Sequence, residues 1–159
     1  MMKTLVPAAL MAGSLVAAPV ALAANSDNTA IEGTYLLVQP NTSQRVLALK
    51  PGGTVSLISQ GQQVRGYTSG LGSWKMTGPD SARATIIDFN HPEIETGDDG
   101  ATQIVYDLTF SDEVDGQFQS VTGQFTGQSF AKGQNPLATD VKPARTFGNQ
   151  FDGMRIGVN

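Results

Sequence analysis

The chain has one histidine, His91, set in Asn90-His91-Pro92-Glu93 with Asp88 just upstream. An imidazole oriented by a carboxylate is the commonest general base, and one histidine with two carboxylates makes a minimal metal site. The local sequence opposes both uses. A strand that leaves its sheet at Phe89 and meets Pro92 puts His91 in a surface loop, where nothing excludes water or displaces its pKa. A solvated loop histidine is the expectation. No serine finds a His and Asp framework elsewhere, and a chain without cysteine has no thiol nucleophile. No catalytic residue is assigned, which favours a non-enzymatic protein.

Two acidic runs are the next candidates: Glu93, Glu95, Asp98 and Asp99, then Asp112, Glu113 and Asp115. Calcium sites are built from such oxygen clusters, yet neither run has the spaced acidic loop with a distal glutamate. Charged hairpin tips that keep strand edges soluble account for them, and no metal is assigned. Gly70, Gly72 and Gly78 read as turn glycines; no helix follows to make them a phosphate cradle. No cofactor is implied.

Composition narrows the partners. The formal net charge is −4, and the ten Lys and Arg residues are scattered singly, with no basic stripe of the kind that replaces phosphate counterions. Nucleic-acid binding and docking to an anionic membrane are set aside.

The N-terminus reads as an export signal: Met1-Met2-Lys3, an alanine-rich apolar stretch from Leu5 to Val20, and the small-x-small site Ala21-Leu22-Ala23. Cleavage after Ala23 sends the protein to the periplasm or the medium. With no cysteine to carry a lipid, it is not a lipoprotein, and after cleavage nothing helical spans a membrane. The expected organisation is a signal peptide over 1–23, a linker over 24–32 and a β domain over 33–159.

From Gly33 onward the apolar period is two, punctuated by glycine-rich turns, and no stretch keeps a helical period for three turns. The domain is all-β. The clearest strand is Gln103 to Phe110, with Ile104, Tyr106, Leu108 and Phe110 on one side. Val46–Leu49 and Val55–Ile58 flank Pro51-Gly52-Gly53 as a hairpin. Segments at 33–38, 74–77, 83–89, 118–125 and 154–158 bring the set to about eight strands. Short turns between neighbours favour an antiparallel up-and-down barrel over a Greek-key sandwich. A long connection over 131–149, before the last strand, is expected to be a strap, a lid over one barrel end or a mobile loop. A transmembrane barrel is disfavoured by the low aromatic content of 7% and by strands shorter than the roughly nine to eleven residues needed to cross.

Gly72-Ser73-Trp74 is a G-x-W on a strand, with Arg83 on the next one and Arg155 near the C-terminus. This resembles the calycin group of small barrels, lipocalins and avidin-like proteins, in which the tryptophan packs at the closed end under an arginine. The motif sits after about three strands here rather than on the first, so the likeness covers a tripeptide, a candidate arginine and the meander. What the resemblance implies is a pocket at the open end for a small apolar or amphipathic molecule.

Alternation places Leu47, Leu49, Val55, Leu57, Trp74, Met76, Tyr106, Leu108 and Phe110 inside, with Ser120, Thr122 and Gly123 among the small or polar residues opposing them. If the interior holds a ligand, Trp74, Met76, Arg83, Tyr106, Leu108 and Phe110 are its expected contacts, Arg83 meeting an acidic head group. The alternative is a packed core. Two other functions stay open: an isomerase or cyclase acting on an apolar substrate, marked by an inward Glu32, Asp88 or Tyr106, and an envelope interaction protein using the glutamine-rich face from Gln117 to Gln128.

Overall fold

The computed structural model describes residues 30–91 and 99–157. The expected signal over 1–23, most of the linker, and Glu93, Glu95 and Asp98 lie outside the described residues. The strands are β1 (Gly33–Val38), β2 (Gln44–Lys50), β3 (Thr54–Ser59), β4 (Gly70–Gly78), β5 (Ser81–Phe89), β6 (Ala101–Val114), β7 (Gln117–Phe130) and β8 (Arg145–Arg155). Each pairs antiparallel with its successor and β8 pairs with β1, so the sheet closes into the expected up-and-down barrel. Closure leaves no free edge.

Alternation dictates the interior. Tyr35 and Leu37, Leu47 and Leu49, Val55 and Leu57, Ala82, Ala84 and Ile86, and Ile104 to Phe110 at every second position are all buried. The β2–β3 hairpin turns through Pro51–Gly53 as expected, with Gly52 and Gly53 at φ 77° and 81°, where only glycine is unstrained. One barrel end is closed. The segment Ala30–Glu32, expected as the end of the linker, crosses it: Ile31 is fully buried and Ala30 accepts a bond from the Phe118 amide at 3.0 Å. Arg155 locks this end. Its guanidinium donates to the carbonyls of Ala30, Glu32 and Phe118 and to Tyr35 Oη, all within 2.6–2.9 Å, and lies 5.0 Å from the Tyr35 ring centroid.

Several sequence expectations change. Gly70 and Gly72 sit inside β4, not in a turn; a Cβ on Gly72 would overlap the Thr85 carbonyl oxygen of β5, so glycine is there to let two strands approach. Ser120 and Thr122 alternate with the buried Val121 and so face outward, leaving Val121, Gly123 and Phe125 as the inward positions of β7. The last strand is eleven residues, Arg145–Arg155, rather than 154–158, and the preceding connection shortens to 131–144. Phe147, Asn149, Phe151 and Gly153 point inward between polar neighbours, a pattern with too little contrast to read as alternation. A single helical turn, α1 (Gln62–Arg65), links β3 to β4 and is too short to show a period.

Strand length no longer argues against a membrane barrel, since β6 and β7 run to fourteen residues each. Side-chain placement still does. Thr122, Gln124, Thr126 and Gln128 on β7 and Gln150 and Asp152 on β8 face outward while Val121, Phe125 and Phe151 face inward, the reverse of a lipid-facing wall. No helix is long and apolar enough to cross a membrane among the described residues. An outer apolar row starts on β8 and crosses four strands in register, Met154, Leu36, Val46 and Ile58, with Met154 and Ile58 exposed.

Candidate functional site

The lumen is divided into a filled half and an open half. Towards the Arg155 end, Tyr35, Trp74, Leu108 and Phe110 pack as continuous core, and Tyr35 and Phe110 rings meet at 5.5 Å. At the other end the strand termini of β2, β5, β6, β7 and β8 and the α1 connection surround a recess of about 650 Å³. That volume falls in the range of small-molecule sites.

Arg45 forms the boundary between the halves. It starts on β2, and β6 lies diametrically opposite in an eight-strand closed barrel. The side chain spans the lumen to donate from Nη1 to Tyr106 Oη at 2.5 Å, with its Cζ 4.1 Å from the Phe125 ring centroid. A guanidinium over an aromatic face keeps its charge while shedding part of its water, a favourable contact of roughly 0.5–2 kcal/mol. Tyr106 lies beneath it, fully buried, and burial pushes its phenol pKa up against the pull of Arg45. Arg45 itself lines the recess.

Asp88 is the second charged group of the interior. It follows Ala82, Ala84 and Ile86 on the inward side of β5 and is 4% exposed. Burial raises its pKa from 3.8 to about 6, moderated by a hydrogen bond with Thr102 and the charge of Arg45. Thr102 Oγ1 lies 3.2 Å from Asn90 Oδ1 and 3.3 Å from Ser129 Oγ, so it is shared among three polar groups. Among the described residues, Asp88 Oδ1 is the one buried side-chain polar atom without a hydrogen-bond partner. Neither Asp88 nor Arg45 belongs to an ion pair within 4.0 Å among the described residues, although both line the recess. Leaving a buried acceptor unsatisfied costs about 1–3 kcal/mol, and native proteins retain few such atoms.

The rim adds a sign and a texture. Arg65 and Arg145 stand at the mouth, so three arginines and one aspartate line the recess of a chain that is acidic as a whole. Phe125 and Phe147 give an apolar wall, their rings 6.4 Å apart and nearly perpendicular. Gln39 Oε1 accepts from Asn149 Nδ2 at 3.3 Å across the β1–β8 side. The α1 connection is held to the β5 end by Thr68 N to Phe89 O, at 2.9 Å, and by His91 N to Gly66 O, at 2.6 Å. No residue of the 131–144 connection lines the recess, so this segment is not a lid over it.

Comparison with protein-family models, curated proteins and solved structures finds no match to this chain. The site therefore stands on its geometry.

Of the residues expected as ligand contacts, the structure brings Trp74, Tyr106, Leu108 and Phe110 together in the buried core and leaves Met76 partly buried against it. Trp74 Nε1 donates to Lys50 O at 3.0 Å, on the closed side, and none of these residues lines the recess. Arg83 is on the outer face of β5 between Ala82 and Ala84, paired with Asp107 at 2.7 Å, so it neither crosses the Trp74 indole nor reaches the interior. The arginine of the closed end is Arg155, and the ring beneath it is Tyr35. His91 is exposed, as expected of a loop histidine. Asp99 pairs with Lys132, and Asp112, Glu113 and Asp115 are exposed at the β6–β7 tip.

The sequence signal for Arg45 is its spacing from the apolar series of β2. This residue precedes Leu47 and Leu49 at two-residue intervals, and extending that alternation by one step turns it inward.

Proposed function

We propose that the protein is an exported, non-enzymatic β-barrel that binds one small amphipathic molecule with an acidic head group in the open end of its lumen. The observation that carries this reading is Arg45, a partly desolvated guanidinium at the floor of the recess beside the Phe125 and Phe147 wall. A cation there favours an anionic group, and the aromatic wall favours an apolar body above it. Arg65 and Arg145 extend the positive potential to the rim, which raises the encounter rate for an anion despite the acidic chain. The ligand sits at the mouth, above a packed core, so the contacts expected at Trp74 and Phe110 give way to Arg45, Phe125 and Phe147. The G-x-W at Trp74 and the arginine lock at the opposite end support a calycin-like ancestry or analogy for the barrel.

The test is a titration with cis-parinaric acid, a fluorescent carboxylic acid, near pH 6. Wild type is expected to bind one equivalent with a rise in probe emission, and Arg45→Met to lose at least tenfold in affinity. Equal binding by both proteins would contradict the reading.

One observation favours a second function, an isomerase or cyclase on the same barrel: Asp88 is an inward, buried carboxyl with an unpartnered oxygen. Such a group suits proton transfer on a bound apolar substrate. Turnover of a bound ligand that stops in Asp88→Asn while binding persists would favour it over the carrier.

A further inference from the structure

The recess holds a carboxyl and a guanidinium that face one space and do not pair. Asp88 Oδ1 offers an acceptor with no donor, while Arg45 offers donors beyond the one N–H spent on Tyr106. A head group that fills the gap must therefore donate to Asp88 and accept from Arg45 at once. A carboxylic acid does this only with its proton on. We propose that the protein takes up its ligand carboxylate together with one proton, which Asp88 and the ligand carboxyl share, while Arg45 holds the ligand's second oxygen. The inference rests on the binding reading above and adds to it the head-group class and a dependence on pH.

Charge balance is the physical reason. An ionised ligand and an ionised Asp88 would place two negative charges at the floor of the recess, where Asp88 is buried and Arg45 is the lining cation, Arg65 and Arg145 standing at the exposed rim. Like carboxylates sharing a buried site keep one proton between them, because both cannot ionise without large repulsion. With the proton, the three groups sum to zero. The free protein is already prepared for this, since burial lifts the Asp88 pKa to about 6. The other charged or titratable groups around Asp88 do not supply the proton's place. Tyr106 on β6 is buried beneath Arg45 and its pKa is raised, Tyr67 follows α1, and Arg65 and Arg145 lie at the exposed rim. Among the described residues, β7 contributes Ser129 and Phe125 to the recess, and the turn after β1 contributes Gln39. His91 is exposed on the nearby connection and serves as a control.

The experiment is calorimetric titration of the protein with decanoate at about pH 7.5 in two buffers of different ionisation enthalpy, which counts protons taken up on binding. Close to one proton per decanoate is expected, with affinity falling about tenfold per pH unit above neutrality. Asp88→Asn presents an amide N–H where the shared proton was. It is expected to bind decanoate with no proton uptake and with affinity independent of pH, and His91→Gln to keep the wild-type uptake. Wild-type binding without uptake, uptake that persists in Asp88→Asn, or uptake lost in His91→Gln would each overturn proton sharing at Asp88 and leave the binding reading intact. Failure of the wild type to bind decanoate at any pH from about 5 to 8 would overturn both.

Discussion

Arg45 and Tyr106 tie opposite walls of the barrel together, Nη1 to Oη at 2.5 Å, and this one contact separates a packed lower lumen from an open mouth. Replacing Arg45 by Met removes the hydrogen bond and the stack on Phe125, and leaves the Tyr106 hydroxyl buried with no donor. A loss of about 1–3 kcal/mol in urea unfolding is expected, along with the loss of acid binding. An unchanged midpoint would show that Arg45 does not join the two walls in solution.

Asp88 makes stability depend on pH with a defined sign. Its folded pKa, about 6, lies above the ordinary 3.8, so the folded state holds a proton that the unfolded state releases across this window. Stability from this group is full below about pH 4, falls as pH rises through 6, and is then level. The displacement corresponds to roughly 3 kcal/mol. Asp88→Asn is therefore expected to be more stable than wild type at neutral pH, by an amount that shrinks as the pH is lowered to 4. Thermal unfolding of both proteins across that range checks it; parallel curves would exclude a buried, titrating Asp88.

Arg155 satisfies three carbonyls and a phenol at the closed end, and burial pushes the Tyr35 phenol pKa up to about 12 despite the guanidinium beside it. Arg155→Ala removes a donor from each of the four acceptors, of which the Ala30 carbonyl keeps the Phe118 amide, and is expected to cost about 2–4 kcal/mol. Faster hydrogen exchange at the Phe118 amide, which bonds to Ala30 across that end, would mark the site of the damage. Protection equal to wild type would mean that the crossing segment holds without its arginine.

Gly72 is a packing glycine within a strand. A Cβ there meets the backbone of Thr85, which has nowhere to go without opening the β4–β5 ladder. Gly72→Ala should lower the melting temperature by about 10 °C or more, whereas Gly52→Ala, in a turn with open space around it, should be limited to the cost of its positive φ. Melting curves of the pair decide between a space requirement and a conformational one.

Much of the barrel was legible because its walls obey a period of two over Leu47–Leu57 and Ile104–Phe110, where buried positions are large and apolar and their neighbours polar. Legibility failed where that contrast failed. On β8 the inward residues include Asn149 and Gly153, and at Gly72 the absence of a side chain, a requirement of strand approach, looked like a turn. The site was hidden for the same reason. Its inward residues include Arg45, one step before an apolar series, and Asn149, between Phe147 and Phe151, and a pattern that rewards hydrophobicity places such residues outside, whereas Asp88 is already an inward candidate in the sequence. Arg83 shows the opposite error: one residue separates it from the inward face, and nothing but strict alternation with Ala82 and Ala84 reveals that it points to water.

The position of the bound molecule is the most direct test of a ligand site at the barrel mouth, and backbone amide chemical-shift mapping during titration with decanoate measures it. Shifts confined to Gln39, Arg45, Tyr67, Asp88, Thr102, Ser129 and Asn149, with Trp74 and Phe110 unmoved, are the expected result. Shifts centred on Trp74 and Phe110, or on the outer row of Leu36, Val46 and Ile58, would place binding elsewhere and contradict the assignment of the mouth as the site.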